Sequence, residues 1–152
     1  MGLTEENRRD IVNYRIERAK TALEQAKTNV QFGYLEVVAN RLYYAAYYAV
    51  SALLIAYHIP AHTHDGNINQ FGLHFVKTGI VDKECGKLLR RLFSMRLTGD
   101  YSDRFDLLEE DVVPLIEPTS KFIELLSTLA KSNLNENEKI NLNANVNLNL
   151  NE

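Results

Sequence analysis

Apolar residues recur every three or four positions along most of this chain, which is the helical period. Val12, Ile16, Ala19, Leu23, Ala26 and Val30 form one such stripe on an otherwise charged segment. The stripe predicts a first helix over roughly Thr4 to Lys27. Thr4 is placed to cap it, and Glu5 and Glu6 suit the positive end of the helix dipole. After a break at Gly33, Leu35, Val38, Leu42, Ala45, Ala49, Leu53 and Ala56 predict a second helix over roughly Tyr34 to His58. Its opposite side carries Tyr43, Tyr44, Tyr47, Tyr48 and Ile55. A helix apolar nearly all round is expected at the centre of a bundle. Pro60 stops it.

The pattern then shortens. Residues 59–66 read as a loop, with Asp65 capping a short helix over Asn67 to Lys77 that ends at Gly79. A further helix over Asp82 to Thr98 presents Leu88, Leu89, Leu92 and Phe93, and Gly99 is expected to end it. A polar turn follows over Asp100 to Asp106. The last helix spans Glu109 to Lys131, with Ile116, Phe122, Ile123, Leu126 and Leu129 inward. Pro114 is tolerated near its start, while Pro118 should kink or interrupt it. Beyond Ser132 the chain turns to Asn-Leu repetition, whose alternation is strand-like in period but low in complexity. Residues 132–152 are expected to be a disordered tail outside the domain at 4–131. Long helices with short connections predict an all-α, up-and-down bundle of four or five helices.

Composition narrows the function classes. The 152 residues carry a net charge of −3, so duplex nucleic acid finds no overall basic footprint. Contacts to nucleic acid would have to be local. Cys85 is the only cysteine, which excludes an intrachain disulfide and fits a reducing compartment. The longest apolar stretch, Leu42 to Tyr57, is interrupted by five tyrosines and a serine and is too short to span a bilayer. A cytoplasmic protein without a membrane segment is the expectation.

Three groups of residues offer chemistry. Arg96 falls on the core stripe near the end of its helix, where a guanidinium needs a partner. Asp100 is one turn on, and Tyr101 adds a ring and a hydroxyl. The trio is either a structural ion pair closing the helix or an anion-binding pocket with Arg96 as phosphate clamp. Arg41, Tyr44 and Tyr48 share one face of the second helix, offering charge and stacking surface for a base. Tyr43 and Tyr47 read as core or dimer interface. His58, His62, His64 and His74 form the third group. Their spacing matches no metal motif, so neither a metal nor another cofactor is expected. No nucleophile elbow or phosphate loop is present, and Ser51 and Cys85 have no base at a useful spacing.

Three stretches together resemble the HEPN superfamily, in its small stand-alone prokaryotic branch. They are Asn40-Arg41-Leu42-Tyr43-Tyr44-Ala45-Ala46-Tyr47, then Thr63-His64 with Phe71 and His74 to Gly79, and Arg96 to Tyr101. The resemblance covers roughly residues 8–131. It implies a helical bundle that forms homodimers and works with a minimal nucleotidyltransferase in toxin–antitoxin or defence systems. It also implies RNA or nucleotide binding and carries over Arg96, Asp100 and Tyr101 as the pocket, to which the reading of the second helix adds Arg41 and Tyr44. Many members are metal-independent ribonucleases that use an Arg and, after four to six intervening residues, a His. Here positions 101, 102 and 103 are Tyr, Ser and Asp. Arg96 and Tyr101 would be the catalytic candidates, but a phenol with a pKa of about 10 is a poor base at neutral pH. The resemblance therefore carries over the pocket and leaves the ribonuclease activity behind. A divergent ribonuclease toxin and a purely structural or regulatory protein are the alternatives.

Overall fold

In the computed structural model, the backbone is described for residues 2–101 and 107–150, and the side chains for 2–98 and 107–137. The elements are α1 (Glu5–Val30), α2 (Leu35–Ala56), α3 (His64–Phe71), α4 (Lys83–Tyr101), α5 (Glu109–Val112) and α6 (Ile116–Leu150). A π-helical segment, Gly72–Val76, extends α3, and a 3-10 turn, Val113–Leu115, joins α5 to α6. No strand occurs among the described residues.

α1 starts where its cap places it: the Asn7 N–H donates to Thr4 Oγ1 at 3.1 Å. Its stripe of Val12, Ile16, Ala19, Leu23 and Ala26 is buried against α2. Gly33 turns the chain with φ of +71°, a conformation that costs a glycine little. α2 is the central rod. It packs against α1, α4 and α6, and Val38, Leu42, Tyr43, Ala46, Val50, Leu53 and Leu54 are sealed on several sides of it. Leu89 and Leu92 from α4 and Phe122, Ile123 and Leu126 from α6 complete the core. Each fully buried side chain of this size contributes roughly 1.5–3 kcal/mol by leaving water.

Local expectations are corrected at several points. Thr63, not Asp65, caps α3: its Oγ1 accepts from the Gly66 N–H at 2.9 Å. The helix therefore starts at His64, three residues before Asn67. Gly99 does not end α4, which continues to Tyr101. A glycine inside a helix costs about 0.5–1 kcal/mol against Ala, too little to stop a helix supported by packing. Asp100 and Tyr101 are thus helical and not part of a turn, and residues 102–106, where the rest of the expected turn falls, lie outside the described residues. The last helix is divided, because Pro114 sits in the 3-10 turn and α6 restarts at Ile116. Pro118 then falls in the first turn of α6, where its missing N–H leaves no bond unmade.

The packed domain also reaches past Lys131. Asn133 donates to the Ala56 carbonyl at 2.9 Å, and Leu134 is only 2% exposed.

Candidate functional site

Tyr43, Tyr44, Tyr47 and Tyr48 leave α2 on adjacent turns and form a continuous aromatic face. α3 and α4 each deliver one residue onto it. From α4, the Arg96 guanidinium lies 5.4 Å from the Tyr43 ring centre and 5.3 Å from that of Tyr44. From α2 itself, Arg41 lies 5.2 Å from the same Tyr44 ring. Two cations thus share one aromatic side chain, each within the range of cation–π attraction. Arg41 is oriented by Asn40 Oδ1, which accepts from its Nη2 at 2.7 Å and from its Nε at 3.0 Å. Further along the face, Arg18 of α1 donates to the Tyr48 hydroxyl at 2.8 Å.

The residue from α3 is His64. Its ring stacks on Tyr47 with centroids 4.4 Å apart and planes 13° apart, and meets Tyr44 edge-on at 5.8 Å. Its Nδ1 is 2.7 Å from the Tyr43 hydroxyl. Tyr43 is fully buried, and burial raises its pKa well above the ordinary phenol value, with Arg96 opposing the shift. The phenol keeps its proton, and Nδ1 is fixed as the inward nitrogen. Nε2 is left on the opposite edge of the ring. Burial lowers the His64 pKa, and the Arg96 charge lowers it further against a smaller opposing effect from Asp65. The neutral imidazole therefore predominates at neutral pH. When Nδ1–H donates to the Tyr43 oxygen, Nε2 carries a lone pair able to take a proton.

Of the residues singled out in the sequence, Arg41, Tyr44 and Arg96 come together. The side chains of Asp100 and Tyr101 lie outside the described residues. Tyr43 is core, as expected, but also supports the site, and Tyr47 is the stacking partner of His64. His64 is the member that the sequence placed in a loop, from which it could enter the pocket. The signal was Thr63-His64-Asp65, a hydroxyl cap followed by an acid in the first turn. The other histidines separate: His58 is 3.3 Å from Glu5, and His74 accepts at its carbonyl from Thr78. Among the described residues no group of three His, Cys, Asp or Glu side chains is arranged to hold a metal ion. None of the helices so described is long and apolar enough to cross a membrane.

Comparison with known proteins identifies the scaffold. A UPF0332 protein of Thermotoga maritima is 39% identical over 119 residues, covering 78% of this chain and 90% of that protein. Two Methanocaldococcus jannaschii proteins are more distant. "Putative toxin MJ0142" is 27% identical over 71% of this chain and 74% of its own length. "Putative toxin MJ0605" is 26% identical over 83% and 93%. The HEPN domain matches residues 12–133, from the first buried valine of α1 to the residue of α6 that bonds Ala56. An all-α bundle, with Arg96 of α4 packed over the Tyr44 ring of its central helix, is thus the setting of the site, and the chain belongs to the HEPN domain family.

Proposed function

We infer that the face formed by Arg41, Tyr44, Arg96 and His64 binds a single strand of RNA, in a toxin-type role. The observation that carries this reading is the pair of guanidiniums on the Tyr44 ring. Arginine held over an aromatic face offers N–H groups to a phosphate while the neighbouring rings offer stacking surface to bases. The chain's net charge of −3 favours such a local contact over a duplex-wide one. The relatives named as toxins agree with this role, and the HEPN resemblance extends it to a homodimer working with a nucleotidyltransferase partner. The test is titration of a fluorescent single-stranded oligoribonucleotide, with and without that partner. Binding should weaken by about tenfold or more in Arg96→Ala. No binding by the folded wild type under either condition would end the proposal.

A second reading, cleavage of the bound strand, is favoured by the placement of His64. Its neutral imidazole suits it to take the proton from a ribose 2′-hydroxyl as that oxygen attacks phosphorus. Arg96 would stabilise the charge on the phosphoryl oxygens. The bond to the 5′-oxygen then breaks, and the imidazolium returns its proton to that oxygen. The products are a 2′,3′-cyclic phosphate and a 5′-hydroxyl, and no metal takes part. His64→Gln should abolish cleavage while keeping strand binding. Intact RNA after prolonged incubation with the wild-type protein would leave binding alone as the function.

A further inference from the structure

A second cluster of cations lies on the same side of the bundle, beyond Tyr48. On α2, Tyr44, Tyr48, Ser51 and Ile55 follow one another at spacings of four, three and four, so they share a face. On α1, Arg15 is one turn from Arg18, the residue that binds Tyr48. His62 precedes His64 by two residues. A pocket of about 420 Å³ opens here, and its polar lining is Arg8, Arg15, Ser51, His58, His62 and Asn67.

The lining has more cationic and donor capacity than the chain uses. Arg8 is only 9% exposed and donates from Nη1 to the Ile55 carbonyl at 2.7 Å, which offsets the negative end of α2. Its Nε is buried without a hydrogen-bond partner, and the Glu5 carboxylate stands off at 3.7 Å. Glu5 also faces His58 Nε2 at 3.3 Å, so one carboxylate serves two basic groups. Arg15 is partly buried and makes no hydrogen bond or ion pair with any described residue. His58 is held with φ of +59°, a left-handed conformation rare outside glycine, at the turn that closes α2. That turn keeps its ring on the pocket wall. A buried N–H without an acceptor beside a partly buried guanidinium without a counter-ion calls for an oxyanion.

We propose that this pocket binds a phosphate monoester, with the Arg15 and Arg8 guanidiniums as its principal donors and His62 at its rim. Two sources share that chemistry: the terminal phosphate of an RNA strand and a free nucleoside monophosphate. The pocket stands on its own residues and does not depend on the Arg96 site being correct.

The test follows the ring resonances of His58 and His62 by proton NMR in the full chain. It is titrated with inorganic phosphate, a nucleoside and its 5′-monophosphate, and an oligoribonucleotide with and without a 5′-phosphate. Saturable shifts are expected with phosphate and with the monophosphate. Arg15→Gln and the exposed-site variant His62→Gln should each weaken them, the first by roughly tenfold. Arg96→Ala should leave them in place, which separates this site from the strand-binding face. A phosphorylated oligonucleotide that binds more tightly than the monophosphate supports the strand end as ligand; the reverse order supports the free nucleotide. The proposal is overturned if the wild type shows no saturable shift. It is equally overturned if Arg15→Gln binds as well as wild type, or if the nucleoside binds as well as its monophosphate.

Discussion

His64 is the residue on which the proposed cleavage turns, and its titration is visible from outside. Its pKa in the folded chain lies below the ordinary value of 6.5, because of burial first and Arg96 second. The unfolded chain therefore takes up this proton before the folded chain does. Stability from this group is complete above about pH 6.5 and declines as the pH falls from there through the folded-state value. Asp65 opposes the shift and limits the size of the effect. Thermal denaturation of wild type and His64→Gln between about pH 7.5 and 4.5 should show a shallower acid loss in the variant. Equal slopes would mean that His64 titrates as it would in water. The sequence contained Arg96, Arg41 and Tyr44 as site residues because each stood out on a helical stripe. His64 stood out on none. Its role depends on the Tyr43 hydroxyl and the Tyr47 ring of another helix, and such contacts have no local signature.

Among the elements, α3 positions the site at least cost and with the least redundancy. It has two turns, and its start is fixed by one hydroxyl, Thr63 Oγ1. Thr63→Ala should lower stability by about 1 kcal/mol in chemical denaturation, the usual worth of an N-cap. It should also loosen His64, the first residue of the helix, so RNA cleavage or binding should fall further than stability predicts. A variant with full stability would show that the contacts of His64, Asn67 and Phe71 hold α3 without the cap. Gly66 explains why this turn is tight: a Cβ there would lie 2.9 Å from Thr63 Oγ1. The long helices were legible because their stripes run for several turns. Short elements and boundaries were not, since a cap shifted from Asp65 to Thr63 changes the apolar pattern very little. Pro118 shows the same limit from the other side. A proline reads as a breaker until the restart at Ile116 places it in a first turn.

At the scale of the whole molecule, Asn133 and Leu134 still contact the bundle beyond Lys131. A chain ending at Ser132 loses the burial of Leu134 and the bond to Ala56, together about 2–4 kcal/mol. A chain ending at Asn137 should keep the full melting temperature. Equal stability of the two truncations would show that α6 is dispensable from Asn133 onward. The bundle itself was readable because its core is a property of stripes, whereas the site is a property of how three helices meet. α2 is surrounded by its neighbours and is the element expected to open last, so its amides should exchange with solvent most slowly. His64 and Arg96 belong to α3 and α4, at the edge of that rod. A strand laid across all three would act as a splint. The signature of occupancy would then be slowed hydrogen exchange in α3 and α4, with α2 already at its limit.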